Sequence, residues 1–251
     1  MEMEKDFYIN DIINWGWQVT SRYIGFFIAI IALSFLANLA PNILQPVMVE
    51  IVEEIPFFIL PMVGLWIVGF VIGIIINIGL IRIALNFCDQ VKPLIATLFN
   101  GLDCFWRFLG TTLLYGLIVM IGLLVFILPG IYLAIMFQHS LYFVVDKGLG
   151  PIKALSASAR NTRNVRLILL GFNILCIFIN LAGALLLMVG LLFTIPLTML
   201  AQALVYRHLT VQTSDLAELG VNIQPPLPQQ GPIYYDQPIG SDAYRDMDET
   251  I

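Results

Sequence analysis

Charge is what this sequence has least of: Asp, Glu, Lys and Arg make up 12% of its 251 residues, against 59% hydrophobic residues. That balance excludes a soluble domain of this size, which would expose large apolar patches to water, and it leaves the bilayer as the natural solvent. Cysteine is scarcer still. Cys88, Cys104 and Cys176 stand alone, with no Cys-x-x-Cys pair and no neighbouring histidine, which argues against a disulfide scaffold and a zinc site and leaves them as packing residues. Histidine occurs only as His139 and His208, and no nucleophile elbow, phosphate-binding glycine loop or His-Glu-x-x-His signature is present. The expectation is a protein that is not an enzyme, takes no cofactor or metal and does not bind nucleic acid.

The few basic residues are informative in their positions. No Lys or Arg lies between Arg22 and Arg82, between Arg107 and Lys147, or between Arg166 and Arg207, intervals of 59, 39 and 40 residues. Each interval is long enough for two membrane spans and a turn. Basic residues beside short loops stay cytoplasmic, so each interval holds an even number of spans. The expected fold is an all-α integral membrane protein with six transmembrane helices arranged as three hairpins and both termini cytoplasmic. The spans fall at about Ile24–Ala40, Pro56–Leu80, Phe108–Ile127, Leu128–Val145, Leu167–Val189 and Leu191–Tyr206. Pro129-Gly130 and Gly190 mark two outer turns, and residues 41–54, with Glu50, Glu53 and Glu54, form a longer outer loop. A cleaved secretion signal fits poorly, because residues 1–22 carry Glu2, Glu4, Asp6 and Asp11 rather than a basic start.

Each hairpin is preceded by a segment with helical periodicity, and the three segments resemble degenerate copies of one unit. Ile9, Ile12, Ile13 and Gly16 line one face of the first; Leu94, Leu98, Leu102 and Phe105 the second; Ile152, Leu155, Ala159 and Thr162 the third. Pro93 and Pro151 suit the first turns of the second and third, where a missing N–H costs nothing. These cytoplasmic amphipathic helices are expected at the membrane surface or under the bundle, with Trp15, Trp17 and Trp106 near the headgroups. The chain thus divides into an N-terminal amphipathic helix (1–22), a six-span membrane domain (23–208) and a tail (209–251). The tail holds five prolines, seven acidic residues and one basic residue, and reads as a disordered acidic cytoplasmic segment. Pro225-Pro-Leu-Pro228 is a candidate dock for a cytoplasmic partner, and Tyr234-Tyr235 a candidate modification site.

Two groups of residues are candidate sites. The intramembrane polar residues Gln138, His139, Ser140, Asn173 and Asn180, with Asn77 and Gln202, either handle a solute or proton, or make interhelical hydrogen bonds. The basic stripe Lys153, Arg160, Arg163 and Arg166 either contacts anionic headgroups of membrane lipids, at about 1 kcal/mol each, or serves topology alone. Gly69-x-x-x-Gly73, with Gly64 and Gly79, reads first as a close helix contact and second as a pore lining.

Several stretches carry a family likeness over roughly residues 7–210: Asn10-Asp-Ile-Ile-Asn-Trp-Gly-Trp17, Gly79-Leu-Ile-Arg82, Leu128-Pro-Gly-Ile-Tyr132, Asp146 with Gly150-Pro-Ile-Lys-Ala-Leu155, and Ile195-Pro196 through Tyr206. In these the chain resembles the YciC-like bacterial membrane proteins, which are similar to the membrane domain of some glycerophosphoryl diester phosphodiesterases. The resemblance implies a six-span protein of the inner membrane and brings no catalytic residues. The expected function is a non-enzymatic role in envelope or lipid homeostasis. The alternative is a permease or channel subunit for a small solute. A headgroup enzyme is third, and would depend on Asp89 or Asp146 near the inner interface.

Overall fold

The computed structural model describes residues 9–37, 59–91, 94–99, 101–186 and 189–212, and among these the fold is all-helical. The expected outer loop with Glu50, Glu53 and Glu54, the helix start at Pro93 and the tail beyond residue 212, with its proline run and Tyr234-Tyr235, lie outside the described residues. The helices are α1 (Ile9–Arg22), α2 (Ile24–Ala37), α3 (Ile59–Cys88), α4 (Phe105–Val125), α5 (Ile127–Phe137), α6 (Ser140–Lys147), α7 (Pro151–Asn161), α8 (Arg166–Leu185) and α9 (Leu191–Gln212).

Four stretches are long and apolar enough to cross a membrane: Ile59–Cys88, Ile95–Val125, Ile127–Lys147 and Arg166–Leu185. Helices α1 and α2, bent by 82° at Tyr23, make a fifth if taken as one broken span. Leu60, Trp66 and Phe70 of α3, Leu124 of α4, Leu128 of α5 and Phe178, Leu181 and Leu185 of α8 all project outward from these helices. Leaving one such side chain in water forgoes about 1.5–3 kcal/mol. An outward apolar surface of this extent, on helices long enough to span, is compatible with contact to lipid.

The protein core lies toward the other end of these helices. Ile74, Ile78, Ile83 and Phe87 of α3 are buried there with Phe143 and Val144 of α6 and Leu169 and Phe172 of α8. At its centre stands α9, whose Leu200, Ala201, Ala203, Val205, Tyr206 and Leu209 are buried against α1, α3 and α8. Enclosure by protein explains its composition. A helix that faces other helices tolerates Thr194, Thr198, Gln202 and Arg207, which lipid would not. Helix α9 also runs on to Gln212, with Leu209 and Thr210 buried, so the expected tail boundary at 209 moves outward.

Helices α4 and α5 run antiparallel, joined through the extended residue Phe126. The turn is thus three residues before the expected Pro129-Gly130, which instead occupies the first turn of α5, where proline's missing N–H has no helical partner to lose. Gly130 is needed for closeness: a Cβ there would lie 2.4 Å from Leu123. Helices α8 and α9 are also antiparallel, held by Asn180 to Thr198 and Gln202 to Asn173.

The amphipathic segments differ from one another. Helix α1 buries Ile12, Trp15, Gly16, Val19 and Thr20 on α9, with Gly16 against Leu197. Trp15 is therefore a core residue, while Trp17 and Trp106 are exposed. The second segment is two short 3-10 turns, Ile95–Phe99 and Leu102–Cys104, rather than an α-helix. The backbone of Leu98 in the first turn rests on Gly79, where a Cβ would come within 2.2 Å of its carbonyl oxygen. Gly64 and Gly73 face open space, so the close contact expected of the α3 glycines belongs to Gly79 alone of these three.

Helix α7 begins at Gly150-Pro151 as expected, and its inward face matches the expected one at Leu155 and, just past the helix, Thr162, but not at Ile152. It buries Ala154, Leu155, Ala157, Ser158 and Asn161, and leaves Ile152 exposed. The reason lies in its neighbour. The stretch from α5 to α6 breaks at Gln138-His139, and α7 repairs it: Ser158 Oγ and Thr162 Oγ1 donate to the Met136 carbonyl at 3.0 and 3.1 Å, while the His139 N–H donates to Ser158 Oγ at 3.2 Å. Backbone groups freed inside an apolar bundle need such partners. Hydroxyl positions join the apolar ones on the inward face.

Candidate functional site

Where α3, α6 and α9 end together, a cleft of about 300 Å³ is lined by Arg82, Asn86, Asp89, Thr97, Asp146 and Arg207, with Leu85 and Val145. Its centre is a charged network. From α9, Arg207 donates through Nη1 to Asp146 Oδ2 at 2.9 Å, and through Nη2 to Asp89. The same Asp146 oxygen accepts from Tyr206 Oη at 2.9 Å and lies 3.3 Å from Lys147 Nζ. Arg82 Nη2 donates to both carboxylate oxygens of Asp103, at 2.8 and 2.6 Å.

Burial divides the two cleft carboxylates. The Asp146 side chain is 11% exposed, with Tyr206, Arg207 and Lys147 all gathered on its Oδ2, whereas that of Asp89 is 41% exposed. Burial raises the Asp89 carboxyl above its ordinary value, and the Arg207 guanidinium beside it offsets this only in part. The C-termini of α3 and α6 point their carbonyls at this end, which favours positive charge there. Three cations (Arg82, Lys147, Arg207) stand against three carboxylates (Asp89, Asp103, Asp146).

The intramembrane polar candidates fall into two groups. Asn173 Nδ2 donates to Gln138 Oε1 at 2.6 Å, and Gln202 Nε2 donates to Asn173 Oδ1 at 2.8 Å, a chain that crosses from the α5–α6 break through α8 to α9. Asn180 is apart from it, bonded to Thr198 Oγ1 at 3.2 Å and to the Cys176 carbonyl. His139 and Ser140 are buried, and neither the His139 ring nitrogens nor Ser140 Oγ has a hydrogen-bond partner among the described residues. The His139 ring packs edge-on against Tyr142 and Tyr206. Asn77 bonds its own helix at the Gly73 carbonyl.

The basic stripe is not one stripe. Helix α7 ends at Asn161, so the turn at residues 162–165 separates Lys153 and Arg160 from Arg163 and Arg166 and breaks the slow helical advance expected of them. Lys153 and Arg163 are exposed. Arg166 bonds the Tyr132 hydroxyl and the Ala159 carbonyl and lies over the Tyr132 ring, so it ties α8 to α5. Arg107 likewise joins two elements, donating from α4 to the carbonyl of Gly148, the left-handed cap of α6.

The sequence offered Asp89 and Asp146 as site residues, marked Arg82 and Arg207 only as the ends of charge-free intervals, and drew no attention to Asn86 or Thr97. Each of the charged four closes an apolar run at the same boundary, and that shared depth was the available signal. In comparisons with known proteins the chain matches no family, no curated protein and no solved structure.

Proposed function

We propose that this is a six-span protein of the bacterial inner membrane, three hairpins with both ends inside, that acts without catalysis in envelope or lipid homeostasis. The observation that carries the reading is the charged cleft at the ends of α3, α6 and α9, where the apolar stretches Ile59–Cys88 and Ile127–Lys147 close. That is headgroup depth. The spacing of the basic clusters supports this end inside, and the reading takes α2 and α9 as spans in addition to the four helices that are long and apolar enough by themselves. Exposed Lys153 and Arg163 add positive charge for anionic lipid near the same boundary.

The test is to compare lipid composition and envelope-stress tolerance in cells with and without the protein. A changed lipid profile with lowered tolerance is expected; no change in either overturns the reading. The Gln138–Asn173–Gln202 chain favours a second reading, a permease or channel subunit, because it lines up polar groups of three elements inside the bundle. Solute flux in proteoliposomes that is lost in Asn173→Leu would support it.

A further inference from the structure

We propose that the cleft between α3, α6 and α9 binds a phosphoethanolamine-type zwitterion, with its ammonium at Asp89 and Asp146 and its phosphate at Arg82, Asn86 and Thr97. The inference rests on the lipid reading above and gives it a headgroup.

The argument begins with charge. A cleft lined by two carboxylates and two guanidiniums, within a network of three cations and three carboxylates, has no net charge for a simple anion or cation to answer. It does have separated charges of both signs. Complementarity then selects a ligand that is neutral overall and carries one charge of each sign. The acidic side is the better cation site, because the α3 and α6 C-termini add partial negative charge and the Asp89 carboxylate is half-open to the cleft. Arg207 holds one oxygen of each carboxylate, Asp146 Oδ2 and Asp89 Oδ2, which leaves the Oδ1 atoms for an ammonium. Back along the same face of α3, which carries Arg82 and Asn86 before Asp89 just past its end, a rise of about 10 Å separates the two ends of the cleft, and Arg82, Asn86 and Thr97 line it with N–H and O–H groups of the kind that suit phosphate oxygens. At about 300 Å³ the cleft is at the small end of ligand sites, the size of a headgroup rather than a nucleotide.

The same chemistry is offered by phosphatidylethanolamine and by free phosphoethanolamine, and the experiment separates them. The full chain is reconstituted in discs of phosphatidylglycerol with phosphatidylethanolamine or phosphatidylcholine, and co-purifying lipids are quantified by mass spectrometry. Phosphatidylethanolamine is expected at least about fivefold above its bulk ratio, and phosphatidylcholine, whose quaternary ammonium donates no hydrogen bond, at its bulk ratio. Asp89→Asn and the milder Asn86→Leu and Thr97→Val, which leave the Arg207–Asp146 pair intact, are each expected to return phosphatidylethanolamine toward bulk. Lys153→Gln is expected to leave it enriched. If free phosphoethanolamine raises the thermal midpoint while neither lipid is enriched, the cleft assignment holds with a soluble ligand and the lipid reading falls. If only phosphatidylglycerol is enriched, and that is lost in Arg163→Gln, the lipid reading holds and this assignment falls. Bulk ratios throughout with no shift by free phosphoethanolamine overturn it.

Discussion

Arg207, one turn from the end of α9's buried stretch, meets Asp146 at the end of α6 at 2.9 Å, although 61 positions separate them in the chain. Its other nitrogen holds Asp89 at the end of α3. One guanidinium thus ties three helices where they end together, and no other residue type spans two carboxylates with a planar fork.

Removing Arg207 leaves two carboxylates without their shared cation. Arg207→Met is expected to cost about 3 kcal/mol, the low end for a broken buried pair because Asp89 is well exposed to water. Thermal unfolding in detergent reads this, and Arg207→Met with Asp146→Asn is expected to lose less than the two single losses added. Strict additivity would mean that the pair is not coupled.

Asp89 gives the clamp a pH dependence. Its carboxyl is raised above 3.8 because burial outweighs Arg207, so the folded protein keeps a proton that the unfolded chain releases. This contribution to stability is fully present below 3.8 and is lost as pH rises through the raised value. Relative to the parent, Asp89→Asn is expected to gain in thermal midpoint as pH rises through that window. A relative loss over the same window contradicts the sign.

Ser158 completes the broken α5–α6 stretch. In Ser158→Ala the His139 N–H loses its acceptor, while the Met136 carbonyl keeps Thr162. The expected cost is about 1–2 kcal/mol, rising when Thr162→Val is added. Hydrogen exchange at the His139 amide is expected to accelerate in the single variant, and unchanged exchange would show that the break is closed in some other way.

Glycines of α3 are expected to separate cleanly. Gly79→Ala drives a methyl into the Leu98 backbone and is expected to cost about 1–3 kcal/mol. Gly73→Ala meets open space and is expected to be neutral or stabilising, since alanine favours the helix by about 1 kcal/mol. Equal effects on detergent-solubilised protein would contradict the packing described.

Apolar run length and charge spacing made the helical membrane class legible from residues alone, because lipid imposes a long apolar stretch wherever a helix faces it. Gly150-Pro151 announced α7 through local backbone chemistry. The inward face of α7 was legible in part, at Leu155 and Thr162; Ser158 was missed because it faces inward to serve the break between α5 and α6. The second amphipathic segment failed for a related reason: Leu98 and Leu102 keep helical spacing, yet the tight seat of Leu98 on Gly79 holds the chain in 3-10 turns. Likewise Asp89 and Asp146 stood out as charges at span ends, but their partnership through Arg207 is a product of tertiary packing.

The most direct test of the six-span arrangement is cysteine labelling from outside the intact cell. In a chain with Cys88, Cys104 and Cys176 replaced by alanine, Gln45→Cys, Asn164→Cys and Gln229→Cys are introduced singly and exposed to a membrane-impermeant maleimide. Labelling at 45 alone, with 164 and 229 reacting only after the membrane is opened, is the predicted result. External labelling at 164 or 229 would put the charged cleft or the tail on the wrong side and contradict the account.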